Sequence, residues 1–277
     1  DADNITLGAG RTIDMPGGAN ARPINAQAFN ATIQGNITGA GILVKQGTGK
    51  LVLSGTNSAT AVTTVAAGTL QVDGTFNTST AAVTVDAGAT LGGTGTLNRP
   101  ITVTGSIAPG ASVGTLTTGA VTLNGTYACE VNGANSDVIA ATDLTLGAAS
   151  VLNVTNTSGT FPRVIATYSG TLTGTFATVT SGFTVDYTST PGQVLLTEGS
   201  AYDTWATSKG LTGPAAAFDA DPDNDGISNG LEFVLGGEPN PANPGSNSSA
   251  LLPTLSLSGG NMVFTYNRTD ASAYLNP

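Results

Sequence analysis

A six-residue pattern that recurs at an offset of twenty residues constrains the fold more than any other feature of this chain. The run Val65–Leu70, with the sequence VAAGTL, returns in looser form as Val85–Leu91, with the sequence VDAGATL. Further runs follow at similar intervals, each with apolar residues at alternate positions and a glycine nearby: 101–105, 121–125 and 144–147. A period of two that ends at a glycine predicts short β-strands joined by turns. The fixed offset predicts that these strands stack into a repetitive architecture.

A coil of about twenty residues is a reasonable size for one rung of a β-solenoid. Apolar side chains then point inward, Thr and Asn line the outside, and unpaired backbone edges remain only at the two ends. The 38 glycines, the 9% content of charged residues and the 39% content of hydrophobic residues fit such a stack and not a disordered chain. The strand spacing also permits a β-sandwich, and uneven repeats leave that alternative open for residues 106–199.

Residues 39–57 read GAGILVKQGTGKLVLSGTN, and residues 63–70 read TTVAAGTL. This stretch resembles the autotransporter-associated β-strand repeat, whose pattern is G-x-G-x-L-x-K-x-G-x-G-x-L-x-L-x-G-x-N followed by T-T-V-x-x-G-T-L. The run PGASVGTL at residues 109–116 is similar to a segment that commonly follows such repeats, and the resemblance covers residues 30–155. It implies an exported bacterial β-helical passenger or surface protein, secreted or held at the cell surface. It implies no catalytic activity, because the repeat is a scaffold.

The sequence changes character after residue 200, and aspartates concentrate between Asp219 and Asp225. A register that starts at Asp221 satisfies the pattern D-x-[DN]-x-[DN]-G-x5-E, with Gly226 at loop position 6 and Glu232 at position 12. A start at Asp219 would lose both the turn glycine and the terminal carboxylate. A chain that bends at this glycine points alternate oxygen ligands at one hard cation, which predicts calcium as the cofactor.

The predicted ligands are three aspartates, a backbone carbonyl, an amide and a bidentate glutamate: Asp221, Asp223, Asp225, Ile227, Asn229 and Glu232. The competing interpretation is a solvated acidic turn, in which neighbouring carboxylates repel one another without relief. Ser228 occupies loop position 8, which is usually apolar when two loops pair, so a single loop is expected. The loop resembles those of dockerins and thrombospondin type 3 repeats. At extracellular calcium concentrations such a loop binds the ion and thereby stabilises the surrounding fold.

Four segments are expected along the chain, and the predicted fold class is mainly β. Residues 1–199 form a β-solenoid repeat domain, and residues 200–238 form a small helix–calcium loop–helix segment. Residues 239–250 read as a linker because Pro, Asn and Ser dominate them. Residues 251–277 form a C-terminal β-hairpin. A lone hairpin is marginal in water, so this one is expected to dock on the chain or on a neighbour.

Charge and residue content argue against several function classes. The eight basic residues are scattered singly, which argues against nucleic-acid binding. No apolar run approaches the ~18 residues of a membrane-spanning helix. The chain has no histidine, the residue that most often serves as a general base, and acids are sparse in the repeats, so no enzyme is predicted. A polysaccharide-degrading β-helix would need two carboxylates within about 5–10 Å in one groove.

The leading hypothesis is an extracellular structural protein of the bacterial surface that calcium stabilises. It would self-associate into a fibre or surface layer, or serve as an adhesive stalk, because the solenoid ends and the hairpin offer strand edges for pairing. One alternative is a carbohydrate-binding adhesin module that contacts a surface glycan, for which an aromatic content of 5% gives little support. The other alternative is the polysaccharide-degrading enzyme.

Overall fold

The computed structural model of the chain describes residues 5–18, 20–76, 80–155, 158, 160–239, 248–259 and 261–266. The chain forms two compact units. The first runs through Thr180 and includes Val185–Thr197, and the second comprises Ser181–Thr184 and the described residues from Glu198 onward. The four segment boundaries expected from the sequence stay predictions.

Short strands of two to seven residues make up the repeat region. They are, in chain order, β1 (Ile5–Leu7), β2 (Thr12–Met15), β3 (Ala21–Asn25), β4 (Ala31–Ile33), β5 (Asn36–Gly39), β6 (Ile42–Gln46), β7 (Lys50–Leu53), β8 (Thr56–Asn57), β9 (Thr63–Val65), β10 (Gly68–Val72), β11 (Thr75–Phe76), β12 (Val83–Val85), β13 (Ala89–Gly93), β14 (Thr96–Leu97), β15 (Ile101–Val103), β16 (Ser106–Pro109), β17 (Thr115–Thr118), β18 (Val121–Leu123), β19 (Thr126–Asn132), β20 (Asn135–Ser136), β21 (Val138–Ala141), β22 (Leu144–Leu146), β23 (Val151–Thr155), β24 (Arg163–Tyr168), β25 (Leu172–Thr173), β26 (Thr178–Val179), β27 (Phe183–Asp186) and β28 (Gln193–Glu198).

These strands form three long sheets in which a strand's neighbours belong to the rungs before and after it. The first sheet has the order β1-β4-β7-β10-β13-β16-β19-β23-β26, with β20 beside β19. The second has the order β27-β28-β24-β21-β17-β14-β11-β8, and the third β25-β22-β18-β15-β12-β9-β6-β3. Strands β2 and β5 pair separately. Rungs pair in parallel, as β10 does with β7 and β13, and the result is a β-solenoid of about seven turns.

Parallel pairing of rungs continues into the second half of the repeat region. Strand β18 pairs with β22, β22 with β25 and β23 with β26, all in parallel. Antiparallel pairs occur locally, between β19 and β20 and between β24 and β28. A β-sandwich would be built from antiparallel sheets. The sandwich alternative for residues 106–199 is therefore wrong, and the predicted β-solenoid is confirmed.

Side chains of successive rungs stack in register on both faces of the sheets. One inward ladder of the first sheet is fully buried and consists of Leu51, Leu70, Leu91, Ile107, Tyr127 and Leu152. One outward ladder of the third sheet consists of Thr64, Thr84, Thr102, Thr122, Thr145 and Thr173. Because neighbouring residues of a strand point to opposite faces, this alternation fixes the register of each rung.

The lysine and one glycine of the repeat pattern hold the turn between rungs. Lys45 is fully buried, and burial lowers its pKa. Its Nζ donates hydrogen bonds at 2.8–3.0 Å to the carbonyl oxygens of Gln46, Gly47 and Ala67. A side chain at Gly49 would place its Cβ 1.9 Å from the carbonyl oxygen of Phe29 in the preceding rung. The turn thus needs a buried hydrogen-bond donor at position 45 and a residue without a side chain at position 49.

The second unit holds two helices, α1 (Ala201–Ser208) and α2 (Asn229–Leu235), and 3₁₀ turns at Gly213–Ala216 and Ser248–Leu251. Helix α1 begins with a capping box in which Ser200 and Asp203 exchange hydrogen bonds. Helix α2 is followed by Gly236, which takes the left-handed conformation (φ 83°) that is common just after a helix. The core of the unit consists of Tyr202, Ala206, Leu211 and Phe233, with Trp205 packed against it. No helix in the described part of the chain is both long and apolar enough to cross a membrane.

A C-terminal antiparallel hairpin is formed by β29 (Thr254–Ser258) and β30 (Asn261–Thr265). Every residue of both strands is exposed, including Leu257 and Phe264. The predicted hairpin is confirmed, although residues 267–277 of the predicted segment lie outside the described residues. Most of the predicted linker, residues 240–247, also lies outside them.

Candidate metal centre

Backbone hydrogen bonds close the acidic loop of the second unit onto the segment that precedes it. The amide of Asn229 donates to the carbonyl of Ala220 and that of Gly230 to the carbonyl of Phe218, both at 2.8 Å. Gly226 takes a left-handed conformation (φ 87°), which few other residues adopt without strain. The loop therefore bends at the predicted glycine and leads directly into α2.

Three aspartates of the predicted motif come together in this loop. Asp221, Asp223 and Asp225 each offer a carboxylate oxygen, and these oxygens lie within 4.8 Å of one another. The amide of Gly226 donates to Asp221 Oδ2 at 2.9 Å, and the amide of Ile227 donates to Asp225 Oδ1 at 2.8 Å. Within the described ranges, this is the one group of three or more His, Cys, Asp or Glu side chains that is placed to hold a metal. The turn amides thus orient the carboxylates of Asp221 and Asp225.

Glu232, at loop position 12, lies on α2 and has no exposed surface. Its Oε1 accepts a hydrogen bond from the hydroxyl of Ser248 at 2.6 Å. Its Oε2 is buried and has no hydrogen-bond partner among the residues that the structure describes. Burial, with a further contribution from the negative charges of Asp223, Asp225 and Asp221, raises the pKa of Glu232. A buried carboxylate oxygen without a partner is costly, and a cation beside it would remove that cost.

The donor set suits calcium in its chemistry. The loop offers carboxylate oxygens, and a hard cation such as calcium binds six to eight oxygen ligands. Glu232 does not belong to the 4.8 Å cluster of aspartates. One residue nevertheless joins Glu232 to that cluster, because Ser248 also donates its backbone amide to Asp225 Oδ2 at 2.6 Å. The identity of the ion stays a prediction.

Asn229 and Ile227, the two remaining predicted ligands, have other contacts as well. The Asn229 Nδ2 donates at 2.8 Å to the carbonyl oxygens of Ala215 and Ala217. Its Oδ1 is buried without a hydrogen-bond partner in the described part of the chain. Ile227 is buried, and its amide is bonded to Asp225. Asn229 thus ties the start of α2 to the preceding segment, and ligation by these two residues stays a prediction.

Sequence reasoning missed Ser248 as a functional residue. Its amide and hydroxyl reach two predicted ligands, Asp225 and Glu232. In the sequence it stands in a run of Pro, Asn and Ser that is typical of a linker. No feature of that run indicates which of its serines returns to the loop.

Two carboxylates of the first unit, Glu130 and Asp137, line a shared cavity of about 280 Å³. Asp137 is nearly buried, and its two oxygens accept hydrogen bonds from the amides of Gly114 (2.8 Å) and Glu130 (2.9 Å). Burial raises the pKa of Asp137 to about 6. Through these two hydrogen bonds the carboxylate of Asp137 joins β19 to the segment that precedes β17.

Comparison with known proteins bears on the repeat region. Residues 43–72 match the family described as Passenger-associated-transport-repeat. In the structure these residues run from β6 through β10, over one full rung and into the next. This match confirms the predicted passenger-type repeat.

One similar protein is "Adhesin BmaC autotransporter" of Brucella suis biovar 1 (strain 1330). It is 39% identical to this chain over 108 residues, which is 38% of the chain. The chain spans about 3% of the length of that relative. The likeness therefore concerns a small part of a much longer protein.

The stability of the passenger-type repeats is expected to rise as the pH falls from 7 toward 4. Asp137 has a folded-state pKa of about 6, above its ordinary 3.8, so the folded state binds a proton that the unfolded state does not. Below pH 4 the trend reverses, because hydrogen bonds from Ser189 and Thr188 lower the pKa of Asp186 to about 2. Urea unfolding followed by far-UV circular dichroism, at saturating calcium, measures this profile.

Asp137→Asn is the control for that profile and is expected to remove the rise between pH 7 and pH 5. A wild-type chain whose stability falls steadily from pH 7 to pH 5 would contradict the assignment to Asp137.

Proposed function

We propose that the chain is a structural segment of a bacterial surface passenger, in which the solenoid serves as a stalk and loop 221–232 binds calcium. The observation that carries the proposal is the repeat match, which falls inside the β-solenoid. The name of the similar Brucella protein supports an adhesin-like role and a location at the cell surface or outside the cell. No catalytic step is assigned.

In this proposal, bound calcium stabilises the fold of the second unit. The ion would be held by Asp221, Asp223, Asp225 and Glu232, with Ile227 and Asn229 as further ligands. It supplies positive charge to a group of carboxylates that repel one another. The unpartnered Oε2 of Glu232 also supports this assignment, because it is buried and a cation would satisfy it.

Self-association into a fibre or surface layer is the finer form of the proposal. Both strands of the C-terminal hairpin are fully exposed, and they carry apolar side chains such as Leu257 and Phe264. Exposed apolar strands favour pairing with another copy. Negative-stain electron microscopy should show filaments or end-to-end oligomers, whereas compact monomers at every calcium concentration would remove the fibre form.

Glycan binding is the second candidate function. A cavity of about 840 Å³ opens beside the turn that follows β19, and Asn132, Asn135 and Arg163 are among the residues that line it. Amide and guanidinium groups donate hydrogen bonds to sugar hydroxyls. Asn135→Ala should weaken binding of a glycan that the wild-type chain retains on an array. Unchanged binding in this variant would show that the glycan site does not include Asn135.

Surface location is tested in the bacterium that makes the protein. Antibody labelling of intact cells and release by external protease are expected if the chain is part of a surface passenger. Protein that is found only inside intact cells would contradict the proposal.

A further inference from the structure

Ser248 contacts the acidic loop from outside the twelve-residue motif. Its backbone amide donates to Asp225 Oδ2 and its hydroxyl to Glu232 Oε1, both at 2.6 Å. The residue is 5% exposed, so these bonds are shielded from water. They engage loop position 5, in the acidic turn, and loop position 12, on α2.

The surroundings of the Ser248 hydroxyl leave little freedom for another arrangement. The amide of Glu238 donates to Ser248 Oγ at 3.3 Å, so the hydroxyl is free to give its own hydrogen to Glu232. A Cβ at Gly237 would lie 2.6 Å from Ser248 Oγ and 2.9 Å from the Glu232 side chain. Only glycine at position 237 therefore leaves room for this contact.

We propose that Ser248 is a positioning residue for the calcium ligands, and that calcium and the segment Ser248–Leu251 hold each other in place. The proposal rests on the calcium binding proposed above. Ser248 fixes one oxygen of Glu232 and leaves the unpartnered Oε2 for the ion. It fixes Oδ2 of Asp225 while the Ile227 amide orients Oδ1. Partners that orient metal ligands in this way typically contribute about 10–100-fold in metal affinity.

The coupling acts in both directions because linkage between two equilibria is reciprocal. If the docked segment strengthens calcium binding, calcium strengthens docking of the segment by the same factor. The ion would then hold in place the 3₁₀ turn that leads into the exposed hairpin.

The first test is a calcium titration of the full chain by isothermal titration calorimetry. Ser248→Ala is expected to weaken calcium binding about 10-fold. Ser256→Ala is the matched control, because this serine lies exposed on β29, and it should bind as the wild type does. Gly237→Ala should weaken binding in the same direction, because it displaces the Ser248 hydroxyl without removing it.

The second test is hydrogen–deuterium exchange at residues 248–251. Calcium is expected to slow exchange there in the wild type and in Ser256→Ala, and to slow it less in Ser248→Ala. Equal calcium affinity in wild type and Ser248→Ala, or exchange that calcium does not alter, would overturn this inference and leave the proposed calcium site intact. A wild-type chain that binds no calcium would overturn both.

Discussion

Glu232→Gln is expected to lower the calcium affinity of the chain by about 100-fold or more. The substitution keeps the size of the side chain but removes the charged carboxylate at position 12 on which such loops depend. Glu232 is fully buried and is influenced by the negative charges of Asp223, Asp225 and Asp221, so a neutral amide in its place leaves the ion with one carboxylate fewer. Calorimetric titration of the full chain with calcium chloride measures the change.

The same substitution should have opposite effects on stability with and without calcium. With calcium at 100 times its Kd, binding stabilises the wild-type unit by about 2.7 kcal/mol, and Glu232→Gln loses most of this stabilisation. In the presence of a chelator, the variant should be at least as stable as the wild type, because it removes a buried negative charge beside three others. Trp205 is the only tryptophan of the chain and packs against the core of the second unit. Its fluorescence therefore reports the unfolding of that unit alone.

Asp219→Asn is the control for this experiment, and it also tests the register of the motif. Asp219 is an exposed acid two residues before the loop, and the register that starts at Asp221 gives it no role as a ligand. Its replacement should leave calcium affinity almost unchanged. A large loss in Asp219→Asn, or full affinity in Glu232→Gln, would show that the predicted register is wrong.

Leu91→Asp is expected to unfold much of the solenoid. Leu91 is fully buried and lies in register between Leu70 and Ile107 of the adjacent rungs. A carboxylate there has no partner and no water, and a cost of about 4–5 kcal/mol or more is expected. Loss of the far-UV circular dichroism signal, or a large shift of its urea midpoint, measures the effect.

Thr90→Asp is the matched control at the next position of the same strand. Its side chain points outward, beside Thr69 and Ser106, so a change of no more than about 1 kcal/mol is expected. If Leu91→Asp gives no soluble protein, Leu91→Ala keeps the test open, with an expected loss of about 2–5 kcal/mol. Similar stabilities for Thr90→Asp and Leu91→Asp would contradict the assignment of Leu91 to the inner face and Thr90 to the outer face of the sheet.

The repeat fold could be predicted from sequence because its signals are local and recur. The alternation in Val83–Val85 and Ile101–Val103 marks the buried face of each strand, and the recurring offset places the two strands in adjacent rungs. Glycine positions such as Gly49 indicate where the backbones of adjacent rungs approach most closely. The choice between solenoid and sandwich was open because strand length and alternation are the same in both.

Polar residues inside the molecule were not predictable in the same way. The burial of Lys45 and Asp137 depends on carbonyl and amide groups that come from other rungs. The aspartates of the loop were found because their spacing lies within one short motif. Ser248 was missed because its partners, Asp225 and Glu232, are 23 and 16 residues away in sequence. Contacts of this kind arise from the folded chain and leave no periodic signal.

The most direct test of calcium binding by loop 221–232 is a crystal structure of the chain. The crystals are grown with calcium, and anomalous scattering is used to locate the ion. The account predicts one site in the second unit, with oxygens of Asp221, Asp223, Asp225 and Glu232 at about 2.3–2.6 Å from the ion. It also predicts Ser248 in contact with Asp225 and Glu232 around that ion. A loop without an anomalous peak at millimolar calcium, or an ion bound elsewhere in the chain with this loop empty, would contradict it.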